Sequence, residues 1–440
     1  MCGITGIILQ HRKSIEELRF TAQAMAEGLT HRGPDDAGSW ADARVGIAFG
    51  HRRLSIMDLS AAGHQPMISS SGRYVLAFNG EIYNHVDLRN ALISGGTVPQ
   101  WRGQSDTETL LACIEIWGVA RTLTKLNGMF AFAIWDSQNQ RLILARDRIG
   151  EKPLYYGWTG RTGARAFVFG SELKALRAYS EFNSVVCREA LSHYVRFNYV
   201  PAPFSIYQSI FKLEPGCFLM IDGAPPFDPP AQPLSIDEGY KSIKVQRWWS
   251  LGTYVKSRPA ISLLDDEDCV QLLEDSLSIA VRSQLVSDVP LGAFLSGGID
   301  SSTIVALMQS ESSKQVKTFT IGFDVADFDE TPYARAVAEY LCTDHYEMCV
   351  TAKMVQKLIP SLPWVYDEPF ADSSQIPTHL VCSLARQHVT VALSGDGADE
   401  LFGGYNRYLW GRRVWNHLKS LPLALRQFLS HAIMAIPIEG

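Results

Sequence analysis

With 440 residues the chain is longer than one ordinary hydrophobic core organises, so two domains are expected and a third is admissible. Apolar residues make up 46% and charged residues 20%, a globular balance that excludes a disordered or fibrous chain. A formal net charge of -6 leaves no basic surface suited to nucleic acid.

No apolar run approaches the roughly 18 residues a membrane span needs; the longest obvious one, 129–135, is far shorter. The start, Met1-Cys2-Gly3-Ile4-Thr5-Gly6, lacks the basic, apolar and small-residue succession of a signal peptide, so a cytoplasmic protein with no membrane partner is expected. The eight cysteines form neither a Cys-x-x-Cys pair nor a Cys/His cluster. That argues for reduced thiols, against a zinc site, and for seven of the eight as core filler.

In chain order, Gly3–Leu9 reads as a buried strand, and Ile15, Leu18, Ala22, Met25 and Leu29 follow at helical spacing. Residues 73–78 read as a strand that breaks at Asn79-Gly80, a strong hairpin signal, and resumes at Glu81-Ile82-Tyr83. Residues 129–135 and 141–145 read as an antiparallel pair about a turn. Pro225, Pro226, Pro229, Pro230 and Pro233 place an exposed loop between strands 217–221 and 243–249. From Asp265 the pattern changes. A helix through Leu272, Leu273, Leu277 and Val281 precedes strands 291–295, 316–323, 345–350 and 389–393, which alternate with helices 302–309, 334–341 and 377–387. Such alternation predicts a parallel sheet covered by helices. The expected division is 1–212, a hairpin extension and linker over 213–264, and 265–440.

Cys2 becomes the terminal residue once Met1 is removed, and its α-amine, titrating near ~7.7–8.0, can then take the thiol proton. The thiolate attacks amide carbonyls well. Attack creates an oxyanion, and Asn79-Gly80 offers a side-chain amide and an open backbone N–H to stabilise it. An amino-acid substrate also requires a cation and an anion, for which Arg53 and Asp106 are the candidates. Singly, each of these has a plainer reading as a tolerant position, an ordinary turn or a surface charge. Further on, Leu295-Ser296-Gly297-Gly298-Ile299-Asp300-Ser301-Ser302 joins a buried strand to a helix. Its glycines allow an anion-binding nest, its serines can bond phosphate oxygens, and Asp300 can hold magnesium. It lacks the lysine of a Walker A loop. Ser394-Gly395-Asp396-Gly397-Ala398-Asp399-Glu400 also follows an apolar strand and should lie at the same sheet edge.

Together with His31-Arg32-Gly33-Pro34-Asp35, Arg53-Leu54-Ser55-Ile56 and Asn79-Gly80-Glu81-Ile82-Tyr83-Asn84, these motifs occur in the order found in the glutamine-hydrolysing asparagine synthetases, a family the chain resembles over nearly its whole length. The resemblance implies an α+β N-terminal-nucleophile hydrolase sandwich (αββα) with glutaminase activity, then an α/β parallel-sheet PP-loop domain acting as an ATP pyrophosphatase. It carries glutamine-site roles onto Arg53, Ile56, Asn79, Gly80, Glu81 and Asp106, beside the nucleophile Cys2. ATP-site roles fall on Leu295, Ser296, Ile321, Ser394 and Gly395, in line with the nest at Gly297, Gly298 and Ser301. Magnesium and pyrophosphate contacts fall on Asp300 and Asp399, and Asp396 is tied to forming an acyl-adenylate. The implied partners are small molecules, namely glutamine, ATP and an acceptor carboxylate, and the implied assembly is a homodimer.

Aspartate is the leading acceptor, with a sugar acid as the alternative. Members of the family continue through an Arg-x-Pro-Phe-Leu-Asp stretch and a later lysine, neither of which occurs before Gly440. An incomplete synthetase part is therefore expected, which keeps an uncoupled glutaminase and a non-catalytic regulator as further alternatives.

Overall fold

The computed structural model describes residues 1–11, 13–96, 99–161, 165–257, 265–324 and 329–434. The end of the expected linker, 258–264, lies outside them. The chain forms two compact units, Met1–Leu291 with Val350–Val391, and Gly292–Cys349 with Ala392–Gly440.

The first unit is built on two sheets. One has the strand order Ile210–Lys212, Tyr155–Thr159, Ala166–Gly170, Gly3–Leu9, Ile47–Arg53, Asp36–Asp42. The other runs Gly239–Tyr240, Ile243–Arg247, Cys217–Asp222, Arg141–Arg146, Gly128–Asp136, Tyr74–Ile82, Met67–Ile68. Alternation of side chains along each strand divides the apolar residues among three cores. Ile4, Ile8, Phe49 and Phe169 of the first sheet meet Val75, Ala133, Trp135 and Leu219 of the second between the sheets. Ile7, Ala48 and Val168 face outward onto Leu18, Ala22 and Met25 of the helix Ile15–Glu27. Phe78, Phe132 and Ile134 face the opposite side, onto Leu110, Leu111 and Ile114 of the helix Asp106–Trp117. The layers are therefore helix, sheet, sheet, helix. Each fully buried aromatic or aliphatic side chain contributes about 1.5–3 kcal/mol, and the edge-to-face Phe49–Phe169 pair, with centroids 5.4 Å apart, adds to that.

Three expectations are corrected. Asn79-Gly80 is not a turn: Tyr74–Ile82 is one continuous strand in which Asn79 pairs with Ala131 and Gly80 with Phe130. Burial on both faces of this strand overrides the local hairpin signal, and glycine is needed for close approach, since a Cβ at position 80 would lie 2.3 Å from the Met129 carbonyl oxygen. The proline stretch is not wholly exposed. Pro225 and Pro226 are buried, and their carbonyls accept from Gln10 Nε2 at 2.9 Å and Trp158 Nε1 at 2.8 Å. Nor are seven cysteines core filler, because Cys269, Cys342, Cys349 and Cys382 are exposed.

The second unit carries a four-stranded sheet in the order Asp344–Val350, Lys317–Phe323, Leu291–Phe294, Val391–Leu393, whose middle pair is parallel. Ala293 and Phe319 of the sheet, and Leu295 just after the strand Leu291–Phe294, are buried, as are Val305 and Met308 of the helix Ile299–Glu311 and Ala334 and Ala338 of the helix Thr331–Leu341. The chain passes from the third strand outward to the first, then returns to the far side of the third. Leu291–Phe294 and Val391–Leu393 thus flank a switch point, where open α/β sheets bind ligands.

Candidate functional site

In the first unit, Cys2 stands at the entry to the strand Gly3–Leu9, in a pocket it shares with Arg53, Ile56, Asn79, Gly80, Glu81 and Asp106. The structure thus gathers every residue assigned to the glutamine site around the cysteine. The Cys2 backbone is fixed by Arg32 Nε, which donates to its carbonyl oxygen at 2.9 Å. Its Sγ lies 3.6 Å from the Leu54 carbonyl oxygen and accepts from the Leu54 N–H at 3.4 Å. Burial pushes the thiol pKa up, and the Leu54 N–H acts against that. Burial also lowers the terminal amine of Met1 to about 5.

Asn79 is fully buried, yet neither atom of its side-chain amide has a hydrogen-bond partner among the described residues. Buried amides are nearly always paired, so an orphaned one facing a pocket marks a place where a ligand supplies the partner. Asp106 opens the helix Asp106–Trp117, its carboxylate accepting from the Ile82 N–H at 2.9 Å and the Thr107 N–H at 2.7 Å. Burial raises its pKa all the same. Arg53, expected to meet a substrate carboxylate, is buried, and its guanidinium is aimed by donation to the carbonyls of Ser60 at 3.1 Å, Met57 at 3.2 Å and Asp58 at 2.5 Å.

Burial, helped by the Asp106 charge, raises Glu81 to about 7. An acid with a raised pKa is ionised only above it. If ionised Glu81 receives an ammonium group, glutamine binding should weaken as pH falls through 7, with KM for glutamine about tenfold higher at pH 6 than at pH 8. Steady-state kinetics across this range check the slope, and Glu81→Gln should flatten it.

Lys152 was not foreseen. It is buried, lines the same pocket, and contacts Met129 Sδ at 2.8 Å, with no carboxylate within 4 Å of its Nζ among the described residues. Burial depresses its pKa.

In the second unit, the loop after Leu291–Phe294 turns through Gly297 at φ +80°, a conformation that favours glycine. The helix Ile299–Glu311 then begins with Gly298 as its N-cap. Ser301 Oγ ties the loop together, accepting from the Ser296 N–H at 3.1 Å and lying 3.0 Å from Ser296 Oγ. Ser302 Oγ is buried without a partner among the described residues. The loop after Val391–Leu393 comes alongside, for a Cβ on Gly395 would lie 2.9 Å from the Ser301 nitrogen. Ser394 Oγ donates to Asp396 at 3.1 Å. Asp399 lies in the short helix Ala398–Phe402, and Ile321 is half-buried in the strand Lys317–Phe323. A glycine turn, a helix N-terminus and an orphaned serine hydroxyl suit a phosphate chain, although the Gly298 N–H is already bonded to Ser296 Oγ at 3.3 Å. No group of three or more His, Cys, Asp or Glu among the described residues could hold a metal alone. Asp300 and Asp399 fit a metal only as additions to phosphate oxygens.

Fold and site together define an N-terminal-nucleophile sandwich with a cysteine pocket, followed by a parallel-sheet nucleotide-type domain. A family model described as a glutamine amidotransferase domain matches residues 1–225, and one described as asparagine synthase matches 272–435. The chain belongs to the glutamine-hydrolysing asparagine synthetase family. It is 37% identical to a Methanocaldococcus jannaschii protein described as asparagine synthetase (glutamine-hydrolyzing) 2, over 97% of this chain and 79% of that one. It is 35% identical to asparagine synthetase (glutamine-hydrolyzing) 1 of Bacillus subtilis, over 100% of this chain but 64% of the relative, so it spans less than two thirds of that protein's length. Among solved structures it is similar to glutamine phosphoribosylpyrophosphate (PRPP) amidotransferase from B. subtilis at 18% identity, over 88% of this chain and 71% of that one. The TM-score of 0.38 is too low to bear on the fold.

Proposed function

We propose that the chain hydrolyses glutamine at Cys2 and passes the ammonia to a carboxylate that it activates with ATP, aspartate to asparagine being the leading reaction. The observation that carries this is the orphaned, buried Asn79 amide in the pocket of Cys2, Glu81, Asp106 and Arg53. With Met1 removed, the α-amine of Cys2 takes the thiol proton and Sγ attacks the glutamine side-chain carbonyl. Asn79 Nδ2 and the Gly80 N–H receive the oxyanion, and the protonated amine returns its proton to the departing ammonia. Water then cleaves the thioester to glutamate. Arg53 pairs with the α-carboxylate, and Asp106 and Glu81 pair with the α-ammonium; Ile56 lines the pocket.

In the second unit the acceptor carboxylate attacks the α-phosphorus of ATP, pyrophosphate leaves, and ammonia displaces AMP from the acyl-adenylate. Leu295, Ser296, Gly297, Gly298, Ser301, Ile321, Ser394 and Gly395 hold the nucleotide, and Asp396 serves adenylate formation. Asp300 and Asp399 contact magnesium, whose chemistry is to neutralise the leaving pyrophosphate. In this reading residues 1–212 are the glutaminase, 213–264 connect, and 265–440 form the ATP-dependent part of a cytoplasmic homodimer.

The test is an assay with glutamine, ATP and magnesium over a panel of aspartate and uronic acids, following glutamate and pyrophosphate. Acceptor-dependent pyrophosphate release supports the reading and names the acceptor class; glutamate release without it leaves only the glutaminase half. Asp300→Asn and Asp399→Asn should each lower pyrophosphate release by about 10²-fold or more while glutamine hydrolysis persists. Parallel loss of both activities would assign these residues to the fold.

A further inference from the structure

The Cys2 carbonyl is the first link in a chain of buried charges outside the glutamine pocket. Arg32, which donates to that carbonyl at 2.9 Å, also donates through Nη1 to Glu172 at 2.6 Å. Glu172 receives two further donors, Lys174 Nζ at 2.7 Å and His31 Nε2 at 3.0 Å. Lys174 reaches Asp367 at 3.4 Å, and its backbone N–H donates to the same carboxylate at 2.9 Å. The side chains of Arg32, Lys174 and Asp367 are each 7–8% exposed and that of Glu172 is 16% exposed, so water screens these pairs poorly. Burial opposes ionisation of Glu172, yet the hydrogen bond from His31, the charge of Arg32 and the hydrogen bonds from Lys174 and Arg32 hold its carboxyl well below the usual range.

We propose that Glu172 is a positioning residue for Cys2, acting through Arg32, and that the ion-pair chain Arg32–Glu172–Lys174–Asp367 lets the segment around Asp367 set the aim of the nucleophile. This rests on the glutaminase reading of Cys2. Holding the Cys2 carbonyl fixes the backbone from which Sγ enters the pocket that Cys2 shares with Asn79. A carboxylate that orients the guanidinium therefore acts on the rate of attack without touching substrate. Misplacement of a reacting atom by about 1 Å can cost up to about 10²-fold. A second, half-buried pair provides a control: Lys212 joins Glu368 of the same segment and the Val200 carbonyl, and the other donors to Glu368, the Tyr155 hydroxyl and the Ile206 N–H, do not reach Arg32 or Glu172.

The experiment measures kcat and KM for glutamine hydrolysis, with melting temperature, in the full chain. Glu172→Gln should lower kcat about 10- to 100-fold with KM within about twofold. Arg32→Met should lose at least as much, and the double variant no more than Arg32→Met alone, because the two act as one unit. Asp367→Asn, isosteric and at the far end, should lower kcat in the same direction. Lys212→Met should lower the melting temperature but leave kcat at the wild-type value. Wild-type kcat in Glu172→Gln or Asp367→Asn, additive losses in the double variant, or an equal kcat loss in Lys212→Met would each overturn the proposal. If Glu172→Gln does not fold, Asp367→Asn and Lys212→Met decide it. Cys2→Ala separates the two levels: activity surviving in it rejects the nucleophile itself, whereas its loss alongside a wild-type Glu172→Gln rejects only the positioning role.

Discussion

Replacing Cys2 with alanine should lower glutamine hydrolysis by at least about 10⁴-fold while the melting temperature stays within about 4 °C of wild type. The kinetic loss is large because no other thiol lines the pocket among the described residues, and a methyl group offers no nucleophile. The stability change is small because Sγ has only long contacts, 3.6 Å and 3.4 Å, with the Leu54 backbone. Glutamate release by purified variant and wild type, together with thermal melts, checks both halves. Hydrolysis at the wild-type rate would remove Cys2 from the mechanism. Retaining Met1, for example by placing a bulky residue at position 2 together with a downstream cysteine, is a poorer test because it alters two things at once.

Asn79→Ala should lower kcat by about 10²–10³-fold, the usual cost of one lost oxyanion donor, with little change in KM. Its effect on stability should have the opposite sign or vanish. Neither polar atom of the Asn79 amide has a partner among the described residues, so alanine breaks no protein hydrogen bond and leaves only a small void beside the pocket. A melting temperature unchanged or raised, with activity nearly lost, would identify Asn79 as a residue kept at the expense of stability. A marked fall in melting temperature with activity intact would mean instead that the amide serves the fold.

Much of this was legible in the sequence because side-chain period follows backbone form. The alternation in Gly3–Leu9 sends Ile4 and Ile8 to one core and Ile7 and Leu9 to another. Likewise the repeat through Leu18, Ala22 and Met25 marks one helix face, closed at its start by the Ser14–Glu17 capping box. Asn79-Gly80 misled because a dipeptide reports local preference, whereas pairing with Ala131 and Phe130 is decided by residues fifty positions away. The site still formed there, because a strand presents Asn79 as firmly as a turn would. Arg53 and Asp106 were named as the substrate's charge partners, but taken singly each could be a surface charge, since burial of a charge depends on donors and acceptors brought by other segments, here the 57–60 loop carbonyls and the Ile82 N–H. Lys152 carried no pattern at all. The charge chain through Glu172 was hidden because its members come from positions 32, 172, 174 and 367.

The first unit is also discontinuous, and this matters during synthesis. Lys174 and Lys212 are buried against Asp367 and Glu368, partners that emerge from the ribosome more than 150 residues later. At roughly 5–20 residues per second, a nascent sandwich waits about ten seconds or longer with Lys212 lacking its carboxylate and Lys174 held by Glu172 alone. An early sandwich must therefore keep that corner hydrated and open, so docking of the 350–391 segment is a late step in maturation. If Cys2 is the nucleophile and is aimed through Arg32 and Glu172 as proposed, it is only partly aligned until then, and a half-made chain hydrolyses little glutamine before its ATP-dependent part is complete.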